Sequence, residues 1–139
     1  MKREIIKLAG LTILASLLTL FCETRQLEIP SGSYQYEGFD ADGLLVTEGY
    51  ITISVDNSLI EGYKNVQIIT KSSGNQLDAG MGSIEGRIDE KDSINIRFTY
   101  NRGPNMFIIG QYKNGTLSGK RLVETLTGQE EIGSFIAER

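Results

Sequence analysis

The sequence predicts an all-β domain built as a single antiparallel up-and-down meander of about seven to eight strands. Apolar and polar residues alternate in several short segments, which is the pattern of a strand with one buried face. Glycine, asparagine and aspartate separate these segments, and the 139-residue chain has 16 glycines but only two prolines. An open meander would leave two exposed edges. A closed barrel is therefore the preferred architecture, and a β-sandwich is the alternative.

The clearest strand pattern lies between Gly82 and Glu124. In its strongest segment four apolar residues alternate with polar ones, and these are Ile94, Ile96, Phe98 and Tyr100. Segments 82–89, 106–112 and 117–124 are predicted to be its neighbouring strands. Asn114 and Gly115 predict a type I′ hairpin turn, because both central residues of that turn need a positive φ.

Four more strands are predicted outside this stretch, at residues 32–39, 48–55, 59–70 and 132–139. Segment 59–70 is one strand bent at Gly62 or two short strands. Similar short motifs end in Gly62, Gly86 and Gly119, where we expect a bend or the close approach of another backbone. Residues 125–130 are predicted to form a loop. Residues 71–82 form either a lid over the barrel mouth or a disordered connection.

Composition excludes several functions. The chain has no histidine and one cysteine, which removes the usual nucleophile–base pairs, the commonest transition-metal ligand and any intramolecular disulfide. We therefore expect no enzymatic activity, no metal and no cofactor. The formal net charge is −4, and the body is more acidic than the chain as a whole because basic residues lie in the first seven positions. Nucleic acid is thus not an expected partner.

The N-terminal residues have the layout of a secretory leader, with a short basic start and an apolar run that ends at Cys22. As a helix, residues 8–22 would span about 22 Å, less than the ~30 Å hydrocarbon core of a membrane. A lone cysteine after such a run resembles the signal of bacterial lipoproteins. The resemblance implies a signal peptide at 1–21, a lipidated Cys22 with a tether at 22–31, and a barrel at 32–139. The alternative is that Cys22 is an incidental apolar residue of an uncleaved leader.

The lipoprotein resemblance also implies a location and a partner. Cys22 would carry acyl chains such as palmitate, since more than one chain is needed for stable anchoring. The body would then lie in the cell envelope, attached to the outer membrane or to another extracytoplasmic membrane face.

The two ends of the body resemble the lipocalin, avidin and fatty-acid-binding group of barrels. In that group a Gly-x-Trp near the first strand packs against a basic residue from the last. Here Gly32 and Tyr34 stand in the first strand, with tyrosine in place of tryptophan, and Arg139 ends the last. The resemblance implies that Arg139 lies over the ring of Tyr34 as a structural cap.

Two functions remain open, and neither is enzymatic. In the first, the barrel binds a small apolar ligand, since an eight-stranded barrel is wide enough for one. The residues expected to line that site are Tyr50, Ile94, Ile96, Phe98 and Tyr100. In the second, the interior is solid and the outer surface contacts another envelope or host protein. A cavity would favour the first function, whereas a filled interior with an exposed aromatic patch would favour the second.

Other candidate sites have simpler interpretations. Asp40, Asp42 and Gly43 match the start of a calcium loop but lack the remaining ligands, so a turn is the favoured interpretation. The tyrosines are likewise favoured as ordinary barrel packing.

Overall fold

A computed structural model of the chain describes residues 28–70, 76–89, 93–99 and 103–139. Within them eight antiparallel strands follow one another in sequence order and close into a barrel. The strands are β1 (Gly32–Asp40), β2 (Leu45–Asp56), β3 (Leu59–Ile68), β4 (Gly80–Ile88), β5 (Ser93–Phe98), β6 (Met106–Lys113), β7 (Thr116–Thr125) and β8 (Gly128–Glu138). Pairing of β1 with β8 closes the sheet. The predicted fold class is confirmed, and the barrel is the correct one of the two architectures.

Side chains alternate between the interior and the outer surface, as the sequence pattern predicts. On β2, Ile51 and Ile53 are buried whereas Tyr50 and Thr52 are exposed. The same alternation on β5 buries every second residue.

In the described part of the chain one hydrophobic cluster occupies the interior. Its members with no exposed surface include Tyr34, Tyr36, Ile51, Ile94, Ile96, Phe98, Met106, Ile108, Leu117 and Ala137. Tyr36 stacks on Phe135 with ring centres 6.1 Å apart and meets Phe98 edge-on at 5.9 Å. Burial of these side chains is the main favourable contribution to folding, at about 25 cal/mol per Å² of apolar surface.

Glycines at interior positions let neighbouring strands approach closely. A Cβ atom on Gly62 would lie 1.9 Å from the carbonyl oxygen of Thr52. Equivalent atoms on Gly86 and Gly119 would lie 2.2 and 2.1 Å from backbone oxygens of their partner strands. The close backbone approach predicted at these three glycines is confirmed, and it permits the strong coiling that a small barrel needs.

The structure also refines the predicted boundaries. β3 is one continuous strand through Gly62, and β4 begins at Gly80. Asn114 and Gly115 have φ angles of 53° and 89°, as the type I′ prediction requires. The predicted loop at 125–130 is wrong, because β7 and β8 extend into it and leave only a short turn. Residues 128–131 are all exposed, so polar residues on both faces hide the strand period there.

The barrel has two differently closed ends. At the N-terminal end, where β1 begins, Ile29 is buried in the core and the Tyr34 hydroxyl donates a 2.6 Å hydrogen bond to the carbonyl of Pro30. The folded unit therefore includes the last residues of the predicted tether. We call the opposite end the mouth; it contains the β1–β2 turn, the β3–β4 connection and the β7–β8 turn. Among the described residues no helix is long and apolar enough to cross a membrane.

Candidate functional site

A buried polar cluster lies inside the mouth, and its five members come from five parts of the chain. Strands β1, β2, β3 and β7 supply Tyr36, Thr47, Lys64 and Arg121, and the β3–β4 connection supplies Asp78. All five side chains have no exposed surface. Charged groups are rarely buried unless they are paired, so this cluster is the first place to look for a specific role.

The carboxylate of Asp78 is at the centre of the cluster. Its Oδ2 atom accepts hydrogen bonds from the Tyr36 hydroxyl at 2.6 Å and the Thr47 hydroxyl at 2.7 Å. Its Oδ1 atom accepts from Nη2 of Arg121 at 2.7 Å. The negative charge is thereby matched by one cation and two hydroxyl donors.

Arg121 connects this carboxylate to the barrel wall. Its Nη1 atom donates to the carbonyl of Phe39 at 2.7 Å. Gly38 leaves room for the group, since a Cβ atom there would lie 2.3 Å from the Thr47 hydroxyl and 2.6 Å from Oδ2 of Asp78. A side chain at position 38 would therefore displace the carboxylate or its donors.

Lys64 holds the backbone of the same connection. Its ammonium donates to the carbonyl oxygens of Asp78 at 2.7 Å, Ala79 at 3.0 Å and Gly80 at 3.1 Å. It also lies 5.5 Å from the ring centre of Phe98, a cation–π distance. Burial lowers the pKa of Lys64 to about 8, against the opposing influence of the Asp78 carboxylate.

The ionisation of Tyr36 is suppressed. Burial raises its pKa well above the ordinary 10.0, and the Asp78 carboxylate raises it further. Tyr36 is thus a hydrogen-bond donor here and not a nucleophile. The cluster binds the Asp78 carboxylate and fixes the β3–β4 connection. Among the described residues no group of histidine, cysteine, aspartate and glutamate is arranged to hold a metal ion.

The residues predicted to line a ligand site are divided between two surfaces. Ile94, Ile96 and Phe98 face the interior, where they are packed completely into the core. Tyr50 lies on the outer surface with 58% of its surface exposed, so it does not face the interior with them. Tyr100 and Cys22 lie outside the described residues.

The predicted cap residues lie together at the N-terminal end. The Arg139 guanidinium approaches Gly32, with Nε 3.4 Å from where a Cβ atom would stand. Burial raises the pKa of the Tyr34 hydroxyl, nearby Tyr112 raises it further, and the Arg139 charge lowers it by less. The stacking of Arg139 on the Tyr34 ring stays a prediction. The cation–π pair that the described residues show is Lys64 with Phe98.

The outer surface of β2, β3 and β4 carries a patch of large side chains, which we call the aromatic patch. It consists of Tyr50, Tyr63 and Met81, which are 58%, 45% and 70% exposed. Asn65 joins them, because it pairs with Tyr50 on one side and with Met81 on the other. Tyr63 is two residues from Asn65 on the same face.

A hollow of about 630 Å³ lies nearby on the outside of β3 to β6. Leu59 and Phe107 lie on its two sides, and the Glu85–Arg97 ion pair lies between them. This hollow opens on the outer surface, and none of its lining residues belongs to the buried polar cluster.

Reasoning from the sequence missed the buried polar cluster. The signal for two of its members was present: Lys64 is in phase with the buried Ile60 and Val66, and Arg121 is in phase with Leu117. A charged residue at a position whose neighbours face inward predicts a buried partner. Asp78 carried no such signal, because it lies outside the strands.

Comparison with known proteins adds no assignment. No family model matches this sequence, no curated protein is significantly similar to it, and no solved structure is significantly similar to its fold.

Proposed function

We propose that this protein is a membrane-anchored, non-enzymatic protein of the cell envelope whose solid barrel contacts another envelope or host protein. The observation that carries the proposal is the packing of the interior. The positions that would line a ligand cavity hold completely buried side chains such as Ile94, Ile96 and Phe98. Specific contact is then a task for the outer surface.

The aromatic patch is the part of that surface best suited to bind a protein. Tyrosine and methionine are enriched at protein interfaces. Tyrosine also supplies a large contact area at low entropic cost. Tyr50, Tyr63 and Met81 lie on three adjacent strands, so their spacing is held by the sheet. Because the strands fix the backbone of the patch, binding orders only its side chains.

The anchoring part of the proposal depends on Cys22, which lies outside the described residues. The described chain begins at Glu28 and enters the barrel at the N-terminal end. The residues between Cys22 and Glu28 can span about 20 Å when extended. A lipid on Cys22 would therefore hold the N-terminal end near the membrane and leave the mouth further away.

A small apolar ligand inside the barrel is the second candidate function. Residues 76–79 of the β3–β4 connection are bonded to the barrel wall at the mouth, through Asp78 and Tyr36. Entry of a ligand would require displacement of these residues and of part of the buried polar cluster.

Site-specific photo-crosslinking in the native cells tests the first candidate. A benzophenone residue would replace Tyr63 on β3 or, as a matched control, the exposed Ser118 on β7. The two strands lie on opposite sides of an eight-stranded barrel. We expect one discrete protein adduct from position 63, reduced by Met81→Glu, and no adduct of that mass from position 118.

Equal adducts at both positions, or none at position 63, would contradict the proposal. Native mass spectrometry of the same preparations separates the two candidates. A stoichiometric small molecule bound to the barrel would favour the second candidate over the first.

A further inference from the structure

We infer that the protein bound by the aromatic patch presents a basic segment, with apolar side chains in its middle and a cationic side chain toward each end. This inference rests on the proposed function, because it names the chemistry of the partner at the same surface. The features that carry it are two carboxylate pairs, one at each end of the patch.

The outer faces of β1, β2 and β3, which the structure describes in full, carry acidic side chains and no basic one. Lys64 is the one lysine or arginine in residues 32–68, and its side chain is buried inside the barrel. Glu37, Glu48 and Glu61 are on the outer face, because they alternate with residues that face the interior. Among the described residues none of these three carboxylates forms an ion pair. A partner therefore meets a negatively charged surface here.

The first carboxylate pair lies at the mouth end of the aromatic patch. Glu37 of β1 is directly opposite Glu48 of β2 in the strand register. Glu48 is two residues from Tyr50 on the same face of β2, and it accepts a 3.0 Å hydrogen bond from the side-chain amide of Gln67. This pair therefore borders the patch, and its one hydrogen-bond donor in the described part of the chain is uncharged.

The second carboxylate pair lies at the other end of the patch. Glu61 of β3 is directly opposite Glu85 of β4. Glu61 is two residues from Tyr63 on the same face of β3, so this pair borders the patch as well. Arg97 forms an ion pair with Glu85, which leaves the charge of Glu61 without a cation among the described residues.

The two pairs oppose folding, and for this reason they point to a partner. Like charges directly opposite each other on neighbouring strands are destabilising. Natural sequences depart from such local rules at functional sites. Here both departures border one exposed patch, the surface already proposed to bind a protein. A cationic side chain of the partner beside each pair would offset the repulsion, so binding gains from the carboxylates and folding does not.

Strand geometry gives the spacing that the partner must match. Glu61 lies opposite Ser54, which is six positions after Glu48 on β2. At about 3.3 Å per residue, the two carboxylate pairs are roughly 20 Å apart along the strands. The exposed side chains of the aromatic patch lie between them, so the middle of the partner segment is apolar. A carboxylate introduced at Met81 would face this apolar middle and would lose its hydration on binding.

Photo-crosslinking from position 63 in isolated cell envelopes tests the inference on the full chain. One variant removes the first pair, Glu37→Gln with Glu48→Gln, and another changes the second pair, Glu61→Gln. The matched control is Glu130→Gln, an exposed carboxylate on β8 away from the patch. We expect the adduct yield to fall about fivefold in the first variant and about twofold in the second, the effects of two and of one exposed ion pair. The control should leave the yield unchanged.

Two further readouts come from the same preparations. Raising the salt concentration from about 50 to about 500 mM should lower the wild-type yield, because exposed charges are screened. Mass spectrometry of the adduct identifies the cross-linked segment of the partner. We expect lysine or arginine on both sides of an apolar stretch in that segment.

The Tm of each variant separates a lost contact from a lost fold. Replacing one of two opposed carboxylates by its neutral amide relieves repulsion and keeps the size of the side chain. The Tm of Glu48→Gln and of Glu61→Gln should therefore equal or exceed that of wild type. A lower Tm would contradict the premise that the pairs oppose folding and would overturn the inference.

Two other results would also overturn it. One is an adduct whose yield is the same in the charge variants and at high salt, which would leave the proposed contact standing without a basic partner. The other is a cross-linked segment that contains no lysine or arginine. Absence of any adduct from position 63 would refute the proposed function, and this inference with it.

Discussion

The buried ion pair between Arg121 and Asp78 makes a quantitative prediction about stability. The two side chains have no exposed surface and lie 2.7 Å apart. Removing one partner of such a pair leaves a buried charge without its counter-charge, which costs about 3–5 kcal/mol. We expect Asp78→Ala near the upper end of that range, because it also deprives the Tyr36 and Thr47 hydroxyls of their acceptor.

Arg121→Met should cost less, about 3 kcal/mol, since Asp78 keeps its two hydroxyl donors. The double variant contains neither charge. The double variant should therefore lose about 3 kcal/mol less unfolding free energy than the two single variants lose together. It should also be at least as stable as Asp78→Ala.

Urea unfolding followed by tyrosine fluorescence and circular dichroism measures these differences, since the chain has no tryptophan. The matched control is the exposed pair of Lys120 and Glu131, also 2.7 Å apart. Its coupling energy should be below about 1 kcal/mol. Additive losses at Arg121 and Asp78, or a double variant less stable than Asp78→Ala, would refute the reasoning.

Three further predictions concern other parts of the chain. Gly62→Ala should destabilise the barrel by about 3 kcal/mol or more in urea unfolding, because the new Cβ atom would lie 1.9 Å from a backbone oxygen. The control is Gly82→Ala, whose new Cβ atom would have its nearest contact at 3.2 Å. This control should change the stability by about 1 kcal/mol or less. The free energy of unfolding of wild type, relative to that of Lys64→Met, should rise from pH 8 toward pH 10 in urea titrations. The reason is that the pKa of Lys64 is about 8 in the folded state and near 10.5 in the unfolded chain, so the unfolded chain binds more protons over this range. A fall of this difference over the same range would show that the pKa is not lowered. Cys22→Ser should abolish metabolic labelling with radioactive palmitate and release the protein from the membrane fraction, and unchanged labelling would disprove lipidation at this position.

Strand positions were predictable from the sequence because each strand has one buried face. Ile51 and Ile53 on β2 alternate with exposed Tyr50 and Thr52, so the period of the pattern and the structure agree.

The β7–β8 hairpin was not predictable in full. Residues 128–131 are polar and exposed on both faces, and pairing with β7 rather than burial extends the strand there.

The polar cluster was only partly predictable, for a physical reason. Lys64 and Arg121 belong to strands, and strand periodicity assigns them to the interior. Asp78 belongs to a connection whose path is set by contacts with residues far away in the chain, including Tyr36 and Arg121. Local sequence carries no information about such contacts, so the counter-ion of Arg121 could be identified only from the structure.

The hydrogen bonds of the charged cluster restrict the β3–β4 connection in a way that apolar contacts would not. Replacing a buried ion pair by apolar residues of similar size is often neutral or stabilising, so stability alone does not require charges at the mouth. An apolar residue at position 78 could pack in many orientations, whereas a carboxylate with donors on β1, β2 and β7 is satisfied in one. Lys64 adds the same restriction to the backbone by requiring three carbonyl oxygens to converge on one ammonium. The charges therefore select one position of the β3–β4 connection.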